Sequence, residues 1–248
     1  MDLTNNTILI TGGSSGIGLE LSRELVKRNN EVIICGRSLE KLQKAKERIP
    51  KLHIFQCDIA SSEQCKELIN KVVQLFPRLN VLINNAAIVH KTSFTDTEGI
   101  VSMGEKEMAI NLMAPIRFSS LLVDHFTAKK NATIINVTSG LVYTPRIDYP
   151  FYNATKAGLH SFTMVLRLQL APRRIKVTEV MFPAVDTPWH KGKPPKIVIS
   201  VEKAVSEMLK GLEQGTCEIR IGGAKLLYFL SRFVPNYAFK LVNNLKDR

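Results

Sequence analysis

Cysteine is scarce in this 248-residue chain: Cys35, Cys57, Cys65 and Cys217 are scattered and form no Cys-x-x-Cys pair. That spacing argues against a disulfide framework or a zinc site and suits reduced, partly buried thiols. No apolar run approaches the roughly eighteen residues that a membrane span needs. Met1 to Asn6 carries no basic leader, and the apolar run behind it opens into glycines rather than a processing site. A soluble, cytoplasmic protein is expected. His53, His90, His125 and His160 have no ligand-like spacing and no acidic partner in sequence, so ordinary structural placement is expected for each and no metal is expected. Internal repeats and low-complexity linkers are absent as well.

What is present is an ordinary globular composition, 45% hydrophobic and 23% charged, in a length that parallel α/β folds reach as one domain. The net charge of +12 could attract nucleic acid, an anionic membrane or a small anionic ligand. Lys and Arg are spread along the chain without a helix-turn-helix or RNA-binding motif, so nucleic acid is not expected.

Continuous apolar, β-branched runs recur at 7–10, 31–35, 52–57, 81–83, 133–137, 176–182 and 218–221, as strands buried on both faces would. Helical patterns lie between them at 18–28, 39–49, 62–76, 103–128, 152–170 and 201–214, with Ser38, Ser61 and Ser200 placed as N-caps. Strict alternation predicts right-handed βαβ crossovers and a doubly wound, Rossmann-type parallel sheet of about seven strands. Ligands of such sheets bind outside the carboxyl ends of the strands.

The stretch Thr11-Gly12-Gly13-Ser14-Ser15-Gly16-Ile17-Gly18 follows the first strand and opens a helix. In that context glycines let the pyrophosphate of a dinucleotide approach a helix N-terminus. The second strand ends Cys35-Gly36-Arg37-Ser38, with glycine where NAD enzymes hold an acidic side chain against the ribose 2′-hydroxyl. Arg37 offers a planar donor for a 2′-phosphate, so NADP(H) is favoured over NAD(H).

Among the tyrosines only Tyr152 has a lysine four residues on, Lys156, which places both on one helix face. A phenol is a poor acid/base near neutrality, and a neighbouring ammonium is expected to pull its pKa down. Ser139, thirteen residues earlier at a strand end, could hydrogen-bond a substrate oxygen as charge develops there.

The TGxxxGxG spacing of Thr11 to Gly18, together with Ser139 and Tyr152-x-x-x-Lys156, resembles the short-chain dehydrogenase/reductase family. The likeness is tightest from Ile8 to Thr187, and the tail from Glu218 onward is similar to a bacterial oxidoreductase branch labelled DltE-like. It implies a catalytic set of Asn111, Ser139, Tyr152 and Lys156, with the main-chain carbonyl of Asn111 holding a water that links Lys156 to solvent. It also implies a cofactor site of Gly12, Ser14, Ser15, Gly16, Ile17, Gly18, Arg37, Asp58, Ile59, Asn85, Ala86, Tyr152, Lys156, Val185 and Thr187. Relatives are commonly homodimers or homotetramers paired through the helices matching 103–128 and 152–170.

Where relatives carry Pro-Gly-x-Val-x-Thr, this chain reads Phe182-Pro183-Ala184-Val185-Asp186-Thr187, with Pro183 in the glycine position. Proline fixes φ and removes an N–H, so the floor under the nicotinamide is expected to be reshaped. Residues 187–200 read as a substrate loop, and Arg146, Tyr149 and Trp189 are candidate substrate contacts. The segment 224–248 reads as an amphipathic extension divided by Pro235, expected to pack on the domain or across a subunit interface rather than on an anionic membrane. The resulting expectation is a single-domain NADP(H)-dependent oxidoreductase that interconverts a small-molecule carbonyl and alcohol. The alternative is a catalytically weak NADP(H)-binding sensor or scaffold. A nucleotide-sugar epimerase would need a larger C-terminal substrate domain and another glycine spacing.

Overall fold

The computed structural model of the chain describes residues 1–95, 98–188 and 197–244. Seven strands, β1 (Thr7–Thr11), β2 (Glu31–Gly36), β3 (His53–Gln56), β4 (Leu79–Asn84), β5 (Thr133–Ser139), β6 (Lys176–Phe182) and β7 (Glu218–Arg220), form one sheet in the order β3-β2-β1-β4-β5-β6-β7. Every pairing in it is parallel. Helices α1 (Gly16–Lys27), α2 (Leu39–Arg48), α3 (Ser62–Leu75), α4 (Ile100–Glu107), α5 (Ala114–Thr127), α6 (Pro150–Leu170) and α7 (Val201–Glu213) fill the crossovers.

Strand periodicity decides which helices cover which face. On β1, Ile8 and Ile10 join a core with Leu21 and Leu25 of α1, Leu42 of α2 and Met208 of α7. Leu9, between them, joins the opposite core with Leu68 of α3, Phe118 and Phe126 of α5 and Leu166 of α6. Both faces are dry, which is why the strand sequences read as continuous apolar runs rather than alternating ones. Ser38, Ser61 and Ser200 cap α2, α3 and α7, each hydroxyl accepting from the backbone N–H three residues on.

Two expected elements are built differently. The single helix expected over 103–128 is α4 and α5 joined by a π-helical stretch, Met108–Met113, which places one extra residue in the turn carrying Asn111. The C-terminal extension is a pair, α8 (Gly223–Phe233) and α9 (Pro235–Asn243), broken at Pro235. Only one of its faces packs on the domain, through Ala224, Ala238 and Val242.

The sheet order reverses between β1 and β4, and both strands end in turns that are tied together there. Thr11 Oγ1 accepts from the backbone N–H groups of Asn85 and Ala86 at 3.0 and 3.1 Å. Asn85 Nδ2 donates to the carbonyls of Thr11 and Gly12 at 3.0 and 3.3 Å. This close approach needs Gly18: a Cβ there would lie 2.3 Å from the Gly12 carbonyl oxygen and 2.7 Å from Asn85 Nδ2. Gly18→Ala is therefore expected to force the loop apart. The change should cost about 1–3 kcal/mol, as overpacking does, read as a lower urea midpoint, whereas an unchanged midpoint would contradict the contact.

Candidate active site

A cavity of about 560 Å³ opens at the carboxyl ends of the strands, where a doubly wound sheet places its ligands. One end is the glycine loop. Gly12 and Gly16 have φ of +68° and +52°, and α1 begins at Gly16 with no side-chain cap from Ser15. The first-turn residues Gly16, Ile17 and Gly18 thus line the cavity with the positive end of a twelve-residue helix that has no acidic residue in its first turn. Residues of this shape fit the pyrophosphate of a dinucleotide: the glycines leave space for it, and the uncapped amides can donate to it.

Arg37 is exposed beyond the cavity wall, and Lys41, in the first turn of α2, lines the wall itself. Lys41 is a cation that the sequence reading missed, because a lysine on an exposed helix face carries no motif. Ser14, Asp58 and Ile59 also stand outside the lining, while Gly12, Ser15, Asn85, Ala86, Val185 and Thr187 form part of it. Thr187 sits over the loop, its Cγ2 3.3 Å from where a Gly16 side chain would begin.

The chemical end is held by β5 and α6. Ser139 ends β5, and its Oγ accepts from Leu141 N–H at 3.2 Å. Tyr152 and Lys156 lie one turn apart on α6 and line the same cavity as Ser139. The Ser139 hydroxyl is hydrogen-bonded to the Tyr152 phenol, which draws the phenol's pKa down. Burial nevertheless outweighs that and pushes Tyr152 up to about 12. Burial likewise brings Lys156 down to about 8. The expected lowering of the phenol by the ammonium is thus not what the site produces. The Lys156 ammonium donates to the Val137 carbonyl at 2.8 Å and stands 5.7 Å from the Tyr152 ring centroid, so desolvation dominates both groups.

Asn111 is fully buried behind the cavity rather than in its wall. Its side chain clamps the main chain of Ile88, accepting from N–H and donating to C=O, both at 2.8 Å, and Nδ2 also donates to Thr155 Oγ1 at 3.3 Å. The π-helical stretch supplies the offset that turns Asn111 toward the strand β4 exit. Beside it, buried Glu107 accepts from the His90 N–H at 2.6 Å and pairs with the His90 ring at 2.9 Å. Burial raises the Glu107 pKa, and the nearby carboxylate adds to the upward push on Tyr152.

Glu179, fully buried on β6, is a second acidic group with no counterpart in the sequence reading. It accepts from Thr138 Oγ1 at 2.5 Å and pairs with His160 Nδ1 at 2.8 Å. Its hydrogen bond, helped by its charge, raises the His160 pKa, and its charge supports the ammonium of Lys156 against desolvation. Three of the four histidines without an acidic partner in sequence, His53, His90 and His160, meet carboxylates of other elements, Glu31, Glu107 and Glu179, and only the tertiary structure brings the pairs together. Among the described residues, no group of three His, Cys, Asp or Glu side chains could hold a metal ion.

Of the candidate substrate contacts, Arg146 and Tyr149 line the cavity, and Trp189 lies outside the described residues. Arg146 is 7% exposed, stacks on the Tyr149 ring at 5.3 Å and bonds Asp148 at 3.3 Å, so it is a wall residue rather than a solvated loop cation. The remaining walls are apolar: Leu141 after β5, Ile197, Leu226 and Leu227 of α8, and Leu241 and Val242 of α9. Pro183 packs against the turn into α8, its Cγ 3.5 Å from where a Gly222 side chain would begin. The segment after β6 is therefore in contact with the start of the C-terminal helices.

Residues 6–197 match the family model described as short chain dehydrogenase. The chain is 44% identical over 225 residues to the uncharacterized oxidoreductase DltE of Bacillus subtilis, covering 88% of this chain and 89% of that protein. It is 29% identical over 205 residues to the 3-oxoacyl-[acyl-carrier-protein] reductase FabG of Thermotoga maritima, 79% of this chain and 80% of the relative. A short chain dehydrogenase from Burkholderia cenocepacia solved with NADP superposes with a TM-score of 0.83 at 24% identity, covering 98% and 99% of the two chains. A short chain dehydrogenase/reductase from Burkholderia phymatum solved with NAD superposes with a TM-score of 0.85 at 14% identity, covering 100% and 99%.

The direction of the phenol's shift is open to titration. The absorbance difference between the native protein and Tyr152→Phe, followed from neutral to alkaline pH without cofactor, should show no phenolate below about pH 11, since the group ionises only around a pKa of about 12. A phenolate appearing near pH 8 would mean that the ammonium, not burial, governs Tyr152.

Proposed function

The chain belongs to the short-chain dehydrogenase family, and on that premise we propose that it is an NADP(H)-dependent oxidoreductase interconverting a carbonyl and an alcohol, with Tyr152 as general acid/base. The observation that carries this reading is that Ser139, Tyr152 and Lys156 line one cavity with the glycine loop of Gly12 to Gly18. The NADP-bound Burkholderia cenocepacia structure and the oxidoreductase relative from Bacillus subtilis support it.

In this reading the loop amides of Gly16 to Gly18 hold the pyrophosphate, and Arg37 with Lys41 hold a 2′-phosphate. Asp58 and Ile59 border the adenine, Asn85 and Ala86 the central region, and Val185 and Thr187 the nicotinamide end. The cofactor, when bound, supplies or accepts the hydride. The protein's part is proton management and positioning. Ser139 orients the substrate oxygen by a hydrogen bond. Tyr152, protonated across the neutral range because burial raises its pKa to about 12, gives its proton to that oxygen as negative charge develops there. Alcohol oxidation runs the transfer backwards and requires the phenol to give up its proton first. Lys156 supplies a positive charge beneath the phenol. Asn111 keeps the exit of β4 in place and orders the turn beside the cleft.

The same reading assigns the protein to the cytoplasm. It also assigns it to a homodimer or homotetramer paired through α4, α5, the π-helical stretch between them and α6, where Val101, Met113, Met164 and Leu168 are exposed.

Turnover is checked with purified protein and a panel of aldehydes and ketones, followed at the nicotinamide absorbance. Tyr152→Phe should lower kcat by at least about 100-fold, the usual worth of a general acid, and full activity in that variant would refute the mechanism. Titration with NADPH and NADH should show tighter NADPH binding. Arg37→Asp and Lys41→Glu should each weaken NADPH by about ten-fold or more, as loss of a charge-assisted contact does. Tighter NADH binding to the native protein would reverse the assignment of the cofactor.

A further inference from the structure

The helices α8 and α9 turn an unusual surface to solvent. On α8, Leu226, Phe229 and Phe233 recur at helical spacing along one outward stripe and are 55%, 57% and 79% exposed. Val234, Tyr237 and Phe239 continue the patch across the Pro235 break at 44%, 59% and 47%. Leaving such groups in water is unfavourable for a free protein, and contiguous exposed apolar patches mark interaction surfaces.

The charge around the patch has one sign. Lys225 and Arg232, seven residues apart on α8 and flanking Phe229, and Lys240 on α9 are all exposed. From Ile221 to Asn244 the sequence contains no Asp or Glu. Among the described residues, the acidic groups near this region have partners of their own. Glu207 accepts from the Gly222 N–H, Glu218 pairs with Arg167 and Arg220, and Asp148 pairs with Lys91 and Arg146.

The patch is also continuous with the cavity. Leu226 and Ile197 line the cavity and are themselves 55% and 66% exposed, so among the described residues the apolar wall extends from the mouth to the outer surface.

We propose that α8 and α9 form a docking surface for an anionic lipid bilayer, which seats the mouth of the cavity on the membrane. The apolar stripe enters the boundary between headgroups and acyl chains, and the flanking cations meet anionic headgroups. A second copy of the chain fits this surface poorly. A two-fold contact over this patch would bring the cations Lys225, Arg232 and Lys240 of both copies together, with no carboxylate from residues 221–244 to offset them. The consequence for the reaction proposed above is that an apolar carbonyl or alcohol dissolved in the bilayer reaches the cleft along Leu226 and Ile197 without crossing water.

Sedimentation of the full chain with lipid vesicles tests this without cofactor or turnover, so its outcome is independent of the oxidoreductase reading. The native protein should bind vesicles of phosphatidylcholine mixed with phosphatidylglycerol, bind phosphatidylcholine alone weakly, and be released by high salt. Phe229→Ser combined with Phe233→Ser should cut binding by about ten-fold or more while leaving the urea midpoint unchanged. Should that variant lose its fold, Lys225→Glu combined with Lys240→Glu provides the second reading, and it should abolish the preference for anionic vesicles. No binding of the native protein to anionic vesicles, or equal binding by folded variants, would overturn the proposal. So would light scattering that shows the serine variant splitting a native oligomer, because the patch would then be a subunit interface.

Discussion

A buried ammonium organises the centre of this protein. Lys156 is 2% exposed, and an isolated cation taken out of water costs several kcal/mol unless polar groups meet it. The Val137 carbonyl meets it directly, and the Glu179 carboxylate supports it through the field. Glu179 is in turn buried and must be satisfied, which Thr138 and His160 do. These partners come from β5, β6 and α6, so the register of Val137 with Val180 and Thr138 with Met181 is what places the charges at their working separation. Burial leaves the lysine easier to deprotonate and the phenol harder, which defines a site that holds its proton at neutral pH.

The other half of the site is built from main chain rather than from charge. Gly12 and Gly18 let two backbone segments approach closely, and Asn85 and Thr11 lock the turn after β1 to the turn after β4. Asn84, one residue earlier, points the other way, into a buried chain with Asn136 and Thr163. One asparagine pair thus serves both the switch point of the sheet and its interior, because successive side chains leave a strand on opposite faces.

Pro183 links these centres to the C-terminal helices. It occupies the end of the floor beneath the cleft and packs against the Gly222 turn that starts α8. Leu226, Leu227, Leu241 and Val242 then complete the apolar wall. Part of the apolar wall of the cavity is therefore made by the last fifth of the chain, whose sequence carries hydrophobicity and charge but no motif.

The chain's local chemistry already determined the parallel α/β architecture, the glycine loop ahead of α1, the serine caps, and the spacing of Tyr152 and Lys156. Each depends on residues near one another in sequence: apolar runs, glycines beside a strand end, a hydroxyl ahead of a helix, and one helical turn. Tertiary structure decided what depends on distant partners. Glu107 and Glu179 find His90 and His160 only when separate elements meet, Lys41 reaches the cavity only because α2 flanks the loop, and the π-helical stretch turns Asn111 only against Ile88 and Thr155. The sign of the Tyr152 shift belongs to the same group, since the balance between burial and a neighbouring charge is settled by how much water the folded cleft removes, a quantity no spacing along the chain contains.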